Sequence, residues 1–367
     1  MSVRRASRVA LKAPTPRPKP AGARLTPPNI GRAVAFFGGV SLVAYYVAAT
    51  ASTGQTRRLQ AGTLDSPFNL GTFFAPRSTA DERLAVAKTQ DDAYKLGTFM
   101  QRLKRGMDAI GIPLDAQDSI LRGYLWLSEG WLELPPSKKA VVPIIAVNAC
   151  VFAAWHVPRL TPVVSRWFIH RACSPRVATM LTSVYSHRSL GHFALNNIAL
   201  WSIGSAALTA TTVSVWPHIP EASETPHFLA FFATAGTFAA LTSHIVSAAR
   251  FRALARHFGA RWRTMARSKQ AAILNIVGRG SLGSSGAVYA ALVLTALAFP
   301  DASVSLVFLP MTAMPIQWGV AGMVAMDVVG LVRGWRTFDH AAHLGGAFFG
   351  ILYYVWGPRV WEEAKPH

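Results

Sequence analysis

Gly283-Ser284-Ser285-Gly286-Ala287-Val288-Tyr289 stands where a basic loop gives way to an apolar run that ends near Phe299. The run reads as a membrane-crossing helix, and the quoted residues put a glycine-flanked hydroxyl at its mouth. Fifty-eight residues later Ala342-His343-Leu344-Gly345-Gly346 opens the last hydrophobic segment in the same manner. A serine and a histidine, each starting its own apolar helix, suggest hydrolysis carried out inside a bilayer.

Composition agrees with a membrane setting. Hydrophobic residues make up 51% of the chain and charged ones 15%, against about 25% charged in soluble domains. Seven segments are long and apolar enough to cross a hydrocarbon core, which takes about 20 residues each. They are roughly 33–52, 140–157, 190–210, 227–249, 284–299, 314–332 and 340–356. The fifth is short and needs Gly283 to Gly286 as its first turn. The expected fold is therefore all-α and polytopic, one leading helix followed by a six-helix bundle. The expected boundaries are a basic leader 1–32, a leading span 33–52, and a soluble or surface-lying connector 53–139 containing the amphipathic Leu114–Leu134. The bundle then covers 140–357, with a tail 358–367.

Loop charge fixes an orientation. The first connection within the bundle carries Arg159, Arg166, Arg171, Arg176 and Arg188. The third carries seven Arg and Lys269, and the fifth carries Arg333 and Arg336. The second (about 211–226) and fourth (about 300–313) hold no Lys or Arg. Positive loops stay on the side from which the chain inserts, so loops one, three and five share a side with the basic N-terminus. Residues 1–64 contain ten Lys or Arg and no acid, a pattern resembling a mitochondrial transit peptide. In that setting the N-terminus lies in the matrix and the connector 53–139 in the intermembrane space. The alternative is a basic arm on the cytoplasmic side of another membrane. Despite a net charge of +20, nucleic-acid binding is not expected, because the cations sit in loops between apolar spans. Cys150 and Cys173 form neither a disulfide framework nor a zinc site.

Polar groups at membrane depth are costly and usually functional. The third span begins with His187-Arg188-Ser189-Leu190-Gly191-His192, and Asn196 follows His192 by four, on the same helix face. By the loop charges this span, the serine span and the histidine span all start on the positive side. Ser285, His343, His192 and Asn196 therefore lie at similar depth. Hydrolysis needs a nucleophile, a base and oxyanion donors. Ser285 is the expected nucleophile and His343 the base. His192, Asn196 and the Ser285 backbone N–H are the expected oxyanion donors. Tyr289, one turn deeper than Ser285, can pack on the His343 ring. Gly286 with Ala290, and Gly346 with Gly350, are small pairs that allow two helices to approach closely.

These residues resemble the rhomboid family of intramembrane serine proteases. Three motifs carry the resemblance: Gly283-x-Ser285-Gly286; His187, His192 and Asn196; and Ala342-His343 with Gly346 and Gly350. The extra leading helix, the basic leader and Asp339-His-Ala-Ala-His-Leu-Gly-Gly346 resemble the mitochondrial inner-membrane branch. The resemblance implies a Ser-His dyad with no third acid, no cofactor and no metal. It also implies, as substrates, single-pass membrane proteins cut in or beside their transmembrane helix, such as dynamin-like GTPases of the inner membrane or imported precursors. No Trp-Arg pair of the bacterial sort is evident in the first loop.

Other readings compete. A non-catalytic rhomboid-like binder of membrane helices would have lost the serine or the histidine, and both are present. A metal site could draw on His340 and His343 with His187 or His192. Gly278 to Gly283 formally matches a dinucleotide fingerprint, but a membrane span follows instead of a βαβ unit. Asp339 is expected to cap the last helix rather than orient His343. Asp327 and His244 are expected to serve packing or hydrogen bonding. Ser284 points about 100° away from Ser285 on a helix, so only one of them can face the base.

Overall fold

The computed structural model describes residues 27–64, 80–213, 221–266, 268–270, 280–306 and 309–366. The basic leader lies outside them up to residue 26. Twelve α-helices are described: α1 (Ile30–Leu64), α2 (Ala80–Ala109), α3 (Leu114–Glu133), α4 (Pro136–His156), α5 (Thr161–Trp167), α6 (Thr179–Thr182), α7 (Leu190–Val213), α8 (Thr225–Phe258), α9 (Ala260–Thr264), α10 (Ser285–Ala298), α11 (Ile316–Arg333) and α12 (His340–Ala364). A helix lies at each of the seven apolar segments. Among the described residues, Ile30–Ala61, Pro136–His156, Thr225–Phe258 and Ile316–Arg333 are long and apolar enough to cross a membrane, and Ser285–Ala298 is a shorter apolar helix. The fold is an all-α polytopic membrane fold.

Helix α8 is the central post. Its small residues Ala235, Gly236, Ala239 and Ala240 are buried, and α1, α12 and α10 pack along it. Small side chains let neighbouring backbones come close where lipid supplies no hydrophobic drive between helices. A Cβ on Gly236 would strike Val184, so the glycine admits the short 3₁₀ turn Ser183–Tyr185 that precedes α7. The core cluster runs through Phe228, Phe231, Phe232, Leu294 and Phe349.

Helix α1 runs on to Leu64, past residue 52 where the leading span was expected to end, and α4 starts at Pro136, inside the expected connector 53–139. Three further features differ from the sequence reading. First, α12 continues through Pro358 to Ala364, where a tail was expected to begin. Its added turns seat Trp361 at 1% exposure, stacked 3.9 Å from the His227 ring and donating from Nε1 to Glu221 at 2.8 Å. Glu221 also accepts from Ser52 of α1 at 2.7 Å and pairs with Lys365 at 2.6 Å. Burying that aromatic, with its polar edge satisfied, outweighs one backbone bond lost to proline. Second, the fourth connection forms an antiparallel hairpin, β1 (Ser303–Leu306) with β2 (Leu309–Pro315), register Ser303↔Pro315 and Val304↔Met314. This is a small departure from the all-α expectation, in a segment rich in strand-forming residues. Third, the connector folds back on itself: α2 and α3 form a hairpin turning at Gly111 (φ 70°). Tyr124 Oη donates to the Leu96 carbonyl at 2.8 Å, and Gln117 Nε2 to Asp108 and Ile112 at 3.0 and 2.9 Å.

The first loop of the bundle is anchored from within. Its His170 contacts Thr179 Oγ1 at 3.0 Å and His244 Nδ1 of α8 at 3.1 Å. The guanidinium groups of Arg166 and Arg176 lie over the Trp167 ring, 5.9 and 5.8 Å from its centre. Burial, then the neighbouring His244, pushes the pKa of His170 down to about 3. The folded loop thus holds a neutral imidazole, whereas the unfolded chain protonates it near 6.5. This stabilising contribution is complete above about pH 6.5 and is lost as pH falls toward 3, at about 1.4 kcal/mol per pH unit. Thermal unfolding in detergent should give a lower midpoint at pH 5.5 than at pH 7.5, and His170→Asn should narrow that gap. An unchanged gap in the variant would refute the assignment.

Candidate active site

The nucleophile turn is built by three backbone contacts. His170 N–H donates to the Ser281 carbonyl at 2.9 Å and Ser281 N–H returns a bond to His170 at 2.8 Å. Gly283 N–H donates to the Ser183 carbonyl at 2.9 Å. The first loop therefore holds residues 281–283 as a strap. Gly283 has φ 120°, a conformation that side chains disfavour, and a Cβ there would sit 2.7 Å from His192 Nε2. Helix α10 starts at Ser285, with Ser284 as its cap. Gly283 is thus a turn residue outside the helix, not part of its first turn as expected.

The two serines separate cleanly. Ser285 Oγ lies 2.9 Å from His343 Nε2. Ser284 is fully buried and its Oγ lies 3.2 Å from His187 Nε2. One residue of helix phase sends each hydroxyl to a different histidine, as the ~100° step between neighbours requires. The Ser285–His343 approach depends on glycine: a Cβ at Gly346 would land on the Gly286 carbonyl, and one at Gly350 would come within 2.6 Å of the Ala290 carbonyl oxygen. Gly286 is likewise closed by Ala239 of α8.

Tyr289 stacks on His343, ring centres 4.7 Å apart and planes 12° from parallel. His192 lies over Gly283 and makes an edge contact with His187, centres 5.0 Å apart. Asn196 is buried and donates from Nδ2 to the His192 carbonyl at 2.9 Å. That bond uses one of its two amide protons and leaves the other for an incoming group. Asn197, one residue on, donates to the Phe193 carbonyl at 2.7 Å and accepts from Asn148 at 2.9 Å.

Asp339 caps α12, accepting from Ala342 N–H at 3.1 Å and from Ser243 Oγ at 2.6 Å. The acid that reaches His343 is a different one. Asp327 of α11 lies 3.1 and 3.2 Å from His343 Nδ1 through its two oxygens. The sequence reading gave Asp327 to packing or hydrogen bonding. The available signal was a carboxylate in the middle of an apolar span, but no spacing rule links residue 327 to 343 across a turn.

The family profile for the Rhomboid domain matches residues 174–358, just over half of the chain. The presenilin-associated rhomboid-like proteins, mitochondrial, of Bos taurus and Homo sapiens are each 31% identical over 242 residues, covering 65% of this chain and 54% of theirs. Rhomboid protein 1, mitochondrial, of Saccharomyces cerevisiae is 26% identical over 218 residues, covering 59% of this chain and 52% of its own. The chain spans about half the length of these relatives. No solved structure matches. With a domain profile spanning all three motifs, and with relatives from mammals to yeast, the chain belongs to the rhomboid family.

Proposed function

We propose that this chain is an intramembrane serine endopeptidase in which Ser285 attacks and His343 is the base. The observation that carries the reading is the 2.9 Å approach of Ser285 Oγ to His343 Nε2 across a glycine-lined helix contact. His343 takes the Ser285 proton as Oγ adds to the scissile carbonyl, then gives it to the departing amine. Water repeats the sequence on the acyl-enzyme. The Ser285 backbone N–H, unpaired within the first turn of α10, together with His192 and the free proton of Asn196, receives the oxyanion. At 1.5 Å per residue the 14 residues of α10 span about 21 Å, short of a ~30 Å hydrocarbon core. That shortfall supports a serine lying below the membrane surface.

The seven helical segments are read as seven crossings, with the N-terminus in the matrix and the connector between α1 and α4 in the intermembrane space. The names of the relatives place those proteins in mitochondria, the acid-free basic stretch 1–64 supports the same organelle here, and the inner membrane is the proposed site within it. Substrates are single-pass membrane proteins, with inner-membrane dynamin-like GTPases and imported precursors as first choices. The test is cleavage of a fluorogenic transmembrane substrate by detergent-solubilised wild type and Ser285→Ala, each with and without a chelator. Cleavage by wild type alone, indifferent to the chelator, is expected. Equal turnover by both proteins would remove Ser285 from the nucleophile role, absence of cleavage by both would return the chain to a helix-binding role, and loss on chelation would point to a metal.

A further inference from the structure

We infer that Asp327 is a third member of the Ser285–His343 unit, a positioning residue that fixes the tautomer and the ring plane of His343. The inference rests on the protease reading above and departs from the dyad that the family resemblance implies.

Asp327 is fully enclosed, at 0% exposure. It is one of only three buried residues on α11, beside Ile316 and Gly330. A peripheral, largely exposed helix thus sends one carboxylate into the core. Its oxygens meet groups from two other helices. Oδ1 lies 2.5 Å from His340 Nδ1 and 3.1 Å from His343 Nδ1, Oδ2 lies 3.2 Å from His343 Nδ1, and Oδ2 accepts from Tyr289 Oη. Room for His340 comes from Gly330, one turn after Asp327, because a Cβ there would overlap the His340 ring.

A buried carboxylate is costly unless every oxygen is satisfied, and here three donors share it. An ionised carboxylate only accepts, so the neutral His343 ring must carry its proton on Nδ1. Its Nε2 lone pair is then the one that faces Ser285. When the serine proton arrives at Nε2, the imidazolium keeps its Nδ1–H bond to Asp327, and the carboxylate itself takes no proton. Tyr289 joins the same device twice: its ring stacks on His343 while its hydroxyl holds Oδ2. The imidazole is clamped in plane by one residue and along its edge by the other.

An Asp327→Asn side chain keeps the shape but offers one carbonyl oxygen to three donors, and its NH₂ can donate to Nδ1 and trap the wrong tautomer. Wild type, Ser285→Ala and Asp327→Asn are assayed on one transmembrane substrate, with unfolding midpoints measured in the same detergent. The expected result is a kcat loss of about 10²–10⁴ for Asp327→Asn with KM within twofold. A purely architectural Asp327 would lower the midpoint and leave kcat of the folded fraction intact. A kcat within threefold of wild type, or a loss confined to KM, overturns the inference while Ser285→Ala is inactive. Turnover by Ser285→Ala would overturn the protease reading instead. If Asp327→Asn does not fold, ¹⁵N-histidine NMR of the wild type decides, with the His343 signals assigned by their loss in His343→Gln. A proton on Nδ1 at neutral pH is expected, and a proton on Nε2 overturns the inference.

Discussion

Replacing His343 with alanine is expected to slow cleavage of a transmembrane substrate by about 10⁵–10⁶, as much as Ser285→Ala does, and the double variant should be no slower than either. Residues that act as one unit are not additive: once the base is gone, the hydroxyl has nowhere to send its proton, and removing it costs little more. The geometry makes this specific to one serine. Ser285 Oγ lies on His343 Nε2, whereas Ser284 Oγ lies on His187. Ser284→Ala should therefore stay within about tenfold of wild type, the scale expected for a neighbour that steadies the turn. Single-turnover cleavage in proteoliposomes, with fluorophosphonate labelling of the serine as a second readout, compares the four variants with wild type. His343→Ala cleaving within tenfold of wild type would remove the histidine from the base role. Equal losses in Ser284→Ala and Ser285→Ala would mean that the turn, not the hydroxyl, was being measured.

Much of this site is legible in the chain because it is written in local rules. The helix starts follow from apolar length, and the alternation of basic and neutral loops is what puts Ser285, His343, His192 and Asn196 on helices expected to start from one side. The choice of Ser285 over Ser284 follows from helix phase joined to the family motif. What escaped is non-local. Asp327 and His343 are neighbours only because the α11–α12 turn folds one helix back along the other, and a lone acid in an apolar span does not announce its partner. The strap from His170 to Ser281 is invisible for the same reason, being a pair of backbone bonds between loops 111 residues apart. The continuation of α12 through Pro358 has no local signal, since proline disfavours a helix interior, and the pull of Trp361 into its slot beside His227 and Glu221 comes from tertiary packing. The hairpin at residues 303–315 was passed over since a segment without charge, set between two apolar spans, carried no topological information beyond its lack of cations.

Gly346→Ala is expected to lower kcat by about 10² and to reduce the unfolding midpoint, from the addition of a single methyl group. The Cβ would meet the Gly286 carbonyl oxygen and lie 2.8 Å from its carbon and 3.1 Å from its Cα. Those atoms are the backbone of a neighbouring helix, which Ala239 closes from the far side, so no side chain can swing away and α10 and α12 must part. Overpacking of this kind costs roughly 1–3 kcal/mol of stability, which leaves most molecules folded. The catalytic loss should exceed that, because the contact lies beside the chemistry. Gly286 follows Ser285 by one residue and Gly346 follows His343 by three, so any separation at the glycines is passed directly to the 2.9 Å pair. A misplacement of about 1 Å is enough for a 10²-fold loss. Gly350→Ala, which would meet the Ala290 carbonyl oxygen at 2.6 Å, should cost comparable stability but less activity, since it acts one turn further from His343. Gly322→Ala on α11, with nothing within 4 Å of its Cβ, should be silent in both measurements. A Gly346→Ala protein cleaving at the wild-type rate would mean that the serine reaches its base without this close approach, and the glycines would lose their role in setting the pair.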